Sequence, residues 1–348
     1  MTGVQTCALP ISVLDGPMSP KHRFRLGDAT VAFWTDKPTL VEDVFAEFAQ
    51  NGSVSLEREE VQDEATRQKL QSFLEALRKG REAFGELGED PDESRFYILG
   101  LSPNAARLSL RFFYKNTLSE LLENLRKHYR DIKTKPQKAS GKRKGDPEFP
   151  PNWILLRQTA RDSKDVPPIL AAPLLRAIFT GANYPDGLVQ AILRRIHADR
   201  TVNYPRACAI KGYLVRNKNM EVSMSLDKER KDTSYRLGRL FAALEKTQSE
   251  ALQGLNKTIR DRFYSSASAT PRGVFPRLLR TYQHHLSKLG GGHKVNREKL
   301  VQEILDPVDD FPAHLNLADQ GLFAIGYYHQ TQDFYKKRSE EGGEDESK

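Results

Sequence analysis

The hydrophobic pattern of this 348-residue chain changes character across the aperiodic stretch DIKTKPQKASGKRKGDPEFPP that runs from Asp131 to Pro151. Before that stretch short alternating runs are mixed with segments of helical spacing, and after it apolar residues recur at three and four spacing almost to the C-terminus. A period of two alternates side chains across a strand, whereas a period of 3.6 stripes one face of a helix, so the two parts cannot share one architecture. The expected fold is therefore an α+β N-terminal part followed by a mainly α-helical C-terminal bundle. Four prolines and a Lys/Arg cluster make residues 132–151 read as a flexible, solvated linker.

The pattern also predicts the elements. FRLGDATVAFWTDK, around Gly27 and Asp28, reads as two strands joined by a tight turn. Thr39–Gln50 and Val61–Arg81 have the spacing of amphipathic helices with acidic outer faces. Arg95–Leu101 and Ala106–Tyr114 are β-rich runs separated by Ser-Pro-Asn turn chemistry, and a helix follows over Thr117–Tyr129. These make up an α+β core over residues 21–131. Past the linker, helices are expected over 153–161, 168–180, 188–198, 205–218, 235–252, 271–289, 297–305 and 317–337, with an Ala/Ser/Thr turn before Pro271. Pro168, Pro205 and Pro271 stand where a first-turn proline costs nothing, and Gly181 and Gly290 stand just past helix ends. We divide this half into a basic helical region, 152–219, and a C-terminal bundle, 220–338, and read 339–348 as a disordered tail.

The first dozen residues, MTGVQTCALPIS, lack the basic n-region and continuous apolar run of a secretion signal. They resemble the conceptual translation of a sequencing-library adapter, so residues 1–20 are set aside as a non-native or disordered leader. No run approaches the roughly 18 apolar residues of a membrane span. Cys7 and Cys208 form neither a disulfide framework nor a ligand spacing, which points to a reducing, cytoplasmic setting.

Charge is unevenly spread. The chain carries a formal net charge of +8, yet Leu40–Arg95 holds fifteen acidic and seven basic residues. The positive charge is concentrated beyond Arg95, which favours polyanionic partners. The densest cluster runs from Ile192 to Lys218, where Arg194, Arg195, Arg200, Arg206, Lys211, Arg216 and Lys218 face a single acid, Asp199. Tyr184, Tyr204 and Tyr213 are interleaved or close by. Arginine forks neutralise phosphates and tyrosine faces stack on bases, so the combination suits single-stranded or distorted nucleic acid. An ordinary solvated helical face is the alternative. Lys142, Arg143 and Lys144 in the linker are a weaker candidate of the same kind.

Catalytic patterns are weaker still. Neighbours on a helix point about 100° apart, so His284 and His285 cannot share one ion as an i, i+4 pair does. One is expected to pack in the bundle and the other to face solvent. LGGGHK at Leu289–Lys294 lacks both the spacing and the preceding strand of a phosphate loop, and reads as a helix C-cap and flexible loop. Cys208 falls on an apolar helical face, and no close carboxylate pair is tied to a cleft. No catalytic residue, metal ligand or cofactor site is assigned. A metal-dependent nuclease using His284, His285 or His329 is the competing reading, and a purely structural scaffold is the blander one.

Five blocks carry a resemblance: HRFRLGDATVAFW, FYILGLSPNAARLSLRFFY, YRLGRLFAALE, SASATPRGVFPRLLRTYQHHLSKL and FPAHLNLADQGLFAIGYYHQTQDFY. In this order they resemble the large subunit of the type I-C (Dvulg subtype) CRISPR Cascade complex, the Csd family. The family's large N-terminal portion, which precedes the first block, is missing here. The resemblance implies a non-catalytic subunit of an RNA-guided surveillance complex, assembled with guide RNA, target DNA and backbone subunits and visited by a separate helicase-nuclease. It also implies that the C-terminal bundle is like the small subunit of related complexes and lies along the displaced strand. Met220 or Met224, in a polar stretch between helices, is then a candidate internal start for a separate small-subunit product that omits no core strand and breaks no helix.

Overall fold

A computed structural model describes residues 23–26, 29–35, 95–104, 107–137, 145–252 and 254–341. The described residues are mainly helical, with an antiparallel sheet near the start. The expected helices over 39–50 and 61–81, the leader, the tip of the linker and residues 342–348 of the expected tail lie outside them, whereas 339–341, also expected to be disordered, are the end of a helix. Two compact units divide the chain, one of Met1–Asp131 with Phe149–Leu188 and the other of Ile132–Glu148 with Val189–Lys348.

In the first unit, strands β1 (Arg23–Leu26) and β2 (Ala29–Thr35) form the hairpin expected around Gly27 and Asp28, with Leu26 opposite Ala29. β3 (Arg95–Asn104) and β4 (Arg107–Thr117) complete a four-stranded meander in sequence order. Pairing of β3 with β4 continues to Asn104 opposite Arg107, so Ser102, Pro103 and Asn104 belong to a strand and not to the expected turn. A register shift between Gly100 and Leu101 absorbs the irregularity. Phe96 and Ile98 on alternate positions of β3 are fully buried. Helix α1 (Leu118–Ile132) adds Leu121, Leu122 and Leu125 to the core. The short helix α2 (Asn152–Arg157) buries Leu155 and Leu156. Helix α3 (Pro168–Thr180) has the predicted bounds, with Pro168 in its first turn and Gly181 left-handed at its end. Asn124 of α1 donates to the Phe179 carbonyl (2.8 Å) and His128 bonds the Tyr184 hydroxyl (2.6 Å), so Tyr184 is a core residue.

The second unit is built around α10 (Leu317–Glu341), in which every residue from Gly321 to Gln330 is buried. The other helices are α4 (Asp186–Asp199), α5 (Tyr204–Lys218), α6 (Thr233–Ala251), α7 (Ile259–Ala269), α8 (Pro271–Leu286) and α9 (Gly291–Leu305). α6 crosses α10 backbone against backbone. A Cβ at Gly238 would lie 2.0 Å from the Phe323 carbonyl oxygen, and one at Gly326 would lie 2.1 Å from that of Tyr235. Leu237, Leu240, Phe241, Leu244, Phe275, Leu278, Leu315, Leu322, Phe323 and Ile325 are buried as expected, whereas Val274 and Leu279 are half-buried.

Two expectations need correction. The Ala/Ser/Thr run before Pro271 is helix α7, started by a reciprocal capping box between Thr258 and Asp261. The Gly290–Lys294 run is no helix C-cap, because α8 ends at Ser287 and Gly290 is the N-cap of α9. The described ends of the 132–151 segment make main-chain hydrogen bonds: Lys135 N–H donates to the Met224 carbonyl (2.9 Å), the Tyr328 hydroxyl donates to the Lys135 carbonyl (2.9 Å), and within the segment Asp146 N–H donates to the Gln137 carbonyl (3.0 Å). Met220 and Met224 do fall between α5 and α6. Ile210 and Leu214 of α5, however, close on Gly321 of α10, so a product starting at either methionine lacks part of the cover over α10.

Candidate nucleic-acid interface

The structure takes apart the cluster between Ile192 and Lys218. Asn203 caps α5 by accepting from Arg206 N–H (3.0 Å), Pro205 lies in the first turn, and nearly the whole helix is buried. Tyr204 and Tyr213 are 0% and 1% exposed, so neither presents a ring face for a base. The Tyr204 hydroxyl donates to the Glu148 carbonyl, and burial holds its pKa far above the usual tyrosine value. Arg206, Lys211 and Arg216 are buried as well. Arg206 donates to the Thr201 carbonyl (2.7 Å) and pairs with Asp199, which also pairs with Arg195. The Lys211 ammonium donates to the Lys133 carbonyl. Arg206 and Lys211 are internal structure, because backbone carbonyls and one carboxylate supply the hydrogen bonds that burial of a charge demands.

Little of the cluster remains outside. Arg200 is half-buried, with its guanidinium on the Ala198 carbonyl (2.6 Å). Lys218 is exposed, with its ammonium 5.7 Å from the Tyr213 ring centre. Arg194 is exposed and has no partner among the described residues. Lys142, Arg143 and Lys144 lie outside the described residues.

A second set of cations, which density counting along the sequence misses, forms a surface on α7 and α8. α8 buries Phe275, Leu278, Tyr282, His285 and Leu286. Its other face exposes Arg277, Arg280 and His284, and Lys288 continues the row one turn past them. Steps of three and four residues put neighbours about 5–6 Å apart along one face. Arg262 of α7 joins this surface through Phe263: the Arg262 and Arg277 guanidinium carbons lie 6.0 and 5.3 Å from the Phe263 ring centre. Arg262, Arg277, Arg280 and Lys288 have no carboxylate partner among the described residues. From Ile259 to Lys294 the chain has seven Lys/Arg and one acid, Asp261, and that acid is spent on the α7 cap. The readable signal was periodic: cations at three and four spacing on a helix whose opposite positions are apolar.

The histidines do not converge. His284 is exposed and His285 buried, as adjacent helical positions require. His329 on α10 is 2% exposed and lies inside a directed chain of hydrogen bonds. Asp227 N–H donates to the Tyr235 hydroxyl (3.1 Å), and that hydroxyl donates to His329 Nδ1 (3.0 Å). On the other side Nε2–H faces Thr134 Oγ1 (3.4 Å), whose own proton goes to the Met224 carbonyl (3.0 Å). Burial, with Lys211 and Arg230 nearby, pushes the His329 pKa down to about 3, so the ring is neutral. Among the described residues no three His, Cys, Asp or Glu side chains are grouped to hold a metal ion. The Cys208 thiol is buried and held far above its ordinary pKa by desolvation. No helix among the described residues is long and apolar enough to cross a membrane.

No curated protein compared with the chain matches it. A family model does, over nearly its whole length, and the span begins at residue 12, inside the segment set aside as leader. Because the match runs from residue 12 to residue 335 of the chain, against the family described as CRISPR-associated protein (Cas_Csd1), the chain belongs to the Csd1 family, the large subunits of type I-C CRISPR Cascade assemblies.

Proposed function

We propose that this chain is a non-catalytic subunit that holds opened target DNA in an RNA-guided surveillance complex, and that the α7–α8 surface of its second unit contacts the displaced single strand. The observation that carries this reading is the row Arg262, Arg277, Arg280 and Lys288, exposed and without carboxylate partners among the described residues. Unpaired guanidiniums bind phosphate without reading base identity, which suits a strand whose sequence is read by guide pairing elsewhere. Phe263, held beneath two guanidiniums, gives the same surface an aromatic and planar-cation platform for unstacked bases. Guide RNA, backbone subunits and a recruited helicase-nuclease are the partners that family membership brings to this reading. We further propose that residues 132–151 separate the α+β part from the helical part in the chain's organisation.

The test is the salt dependence of binding to a fluorescent single-stranded oligonucleotide. Arg277→Glu with Arg280→Glu lies on an exposed face and leaves the core intact. The pair is expected to weaken binding and to flatten the log–log salt slope by roughly 0.7 for each phosphate contact removed. Arg194→Glu is the comparison for the cluster first read from the sequence, and Arg206→Glu is unsuited because it breaks the buried pair with Asp199. An unchanged affinity and slope in the α8 double variant overturns the assignment.

A further inference from the structure

The sheet of the first unit is apolar and aromatic on the face where alternation would make an antiparallel sheet polar. Residues opposite one another in an antiparallel pair share a face, so Tyr97 lies with Lys115, Leu99 with Phe113 and Leu101 with Leu110. The register shift at Gly100 and Leu101 leaves Arg111 without a partner in the ladder, and that extra residue brings Leu110 and Phe113, three apart in sequence, to one face. The opposite face buries Phe96, Ile98 and Tyr114, whereas Leu110 and Phe113 are 62% and 54% exposed. Register places Trp34 of β2 opposite Tyr97.

The charge of this sheet has one sign. Its four strands carry six Lys/Arg and no Asp or Glu. Arg95 and Lys115, both exposed on the same face, have no carboxylate partner among the described residues. The Lys115 ammonium lies 5.4 Å from the Tyr97 ring centre, and the Tyr97 and Phe113 ring centres are 6.4 Å apart with their planes inclined by 32°. A cation, a supporting ring and an exposed ring thus stand in one row. Like charge opposes a second copy of the face, and an apolar protein partner leaves both cations unused. A polyanion with unpaired bases uses every part, the cations for phosphates and the exposed ring for a base. Four-stranded sheets that hold single-stranded RNA stack its bases on aromatic side chains in this way. Thr117, opposite Arg95 on this face, accepts from Glu120 N–H (3.3 Å) and keeps its own hydroxyl proton to donate, the group at hand for a ribose 2′-hydroxyl.

We propose that this face binds unpaired RNA, with a base stacked on Phe113 and backbone phosphates on Lys115 and Arg95. The inference rests on the surveillance-complex reading only for the presence of a guide RNA, the other strand with unpaired nucleotides beside the displaced DNA. Fluorescence anisotropy tests it on the full chain carrying Arg277→Glu and Arg280→Glu, so that the α7–α8 row drops out and either assignment can fail without the other. A labelled single-stranded oligoribonucleotide is expected to bind saturably, and more tightly than DNA of the same sequence or duplex RNA. Phe113→Leu keeps the apolar surface and removes the stack; a loss of about fivefold or more is expected, the low end for one base on one ring. Lys115→Gln is expected to lower the log–log salt slope by roughly 0.7. Both side chains are exposed, so the unfolding midpoint should hold in each variant. Absence of saturable RNA binding, DNA bound as tightly as RNA, or an RNA affinity unchanged by Phe113→Leu overturns the proposal. A midpoint that falls in Phe113→Leu with no effect on RNA marks a face packed against protein and overturns it as well.

Discussion

Replacing Gly238 by alanine tests whether the crossing of α6 and α10 organises the helical unit. The new Cβ would sit 2.0 Å from the Phe323 carbonyl oxygen and 2.8 Å from the Tyr327 nitrogen, both backbone atoms that cannot rotate aside. Relief to a tolerable 3.0 Å requires the helices to part by about 1 Å, and a gap of that size forfeits a quarter to a half of each dispersion contact along the crossing. Overpacking of this kind costs about 1–3 kcal/mol, and the immovable partners place Gly238→Ala toward the upper end. The helix preference of alanine over glycine returns up to about 1 kcal/mol. A net loss of about 1–2 kcal/mol is expected in urea unfolding. Gly273 supplies the internal control, because it lies on the exposed face of α8, where an added Cβ would meet nothing within 4 Å; Gly273→Ala should be neutral or stabilising. Gly326→Ala should cost about as much as Gly238→Ala, and the double variant less than the sum, since one separation relieves both clashes. If Gly238→Ala is as stable as Gly273→Ala, the close crossing is not what holds the two helices together.

Two further outcomes follow from the second unit. His329 is held neutral to about pH 3, while an unfolded histidine titrates near 6.5, so the unfolded chain takes up a proton first. Stability from this group is therefore complete above about pH 6.5 and falls below it, by up to about 1.4 kcal/mol per pH unit; His329→Gln should flatten the urea-midpoint profile there, and an unaltered profile refutes the buried neutral ring. His197 and His285, whose pKa values are also lowered by burial, add slope of the same sign in both proteins and cancel in the comparison. Gln137 and Asp146 close the segment that carries Lys138, Lys142, Arg143 and Lys144, so limited trypsin is expected to cut first within 138–144; first cuts inside α5 would contradict the hydrogen-bonded account of the flanks.

Helix ends set by local chemistry were legible in advance. Pro168 and Gly181 bracket α3 because one needs no amide donor and the other takes a left-handed backbone, and both facts belong to single residues. α7 was not legible by the same route. Its run of Ser, Ala and Thr offers no broad apolar stripe, and only Ile259, Tyr264, Ala267 and Ser268 are buried. The helix is instead started by the Thr258–Asp261 cap and held by Tyr264, whose ring packs edge-on against Phe241, Phe323 and Tyr327. Those partners come from α6 and α10, far away in sequence, so no local window contains the cause. The ends of the 132–151 segment show the same thing in a different way. Its composition is that of a solvated loop, but its backbone carbonyls accept from Lys211, Tyr204 and Tyr328, and hydrogen bonds to a main chain leave no trace in hydropathy.

The same distinction decides which cations can reach a nucleic acid. On α5 the cations are dense, but the small residues Ala207, Ala209 and Gly212 among them let the helix sink into the unit until almost no face is left outside. A lysine or arginine there must find a carbonyl or a carboxylate at the end of its stem, and Arg206 and Lys211 do. On α8 the apolar positions are confined to one stripe, so Arg277 and Arg280 off that stripe are left to solvent with no carboxylate partner among the described residues, and Arg272 alone of the helix's arginines is paired, with Asp310. A net positive segment is therefore no measure of an interface. What counts is the phase of its cations against the apolar stripe of the same helix, and by that measure Arg277, Arg280 and Lys288 outrank the buried Arg206, Lys211 and Arg216, while Arg194 stands with them.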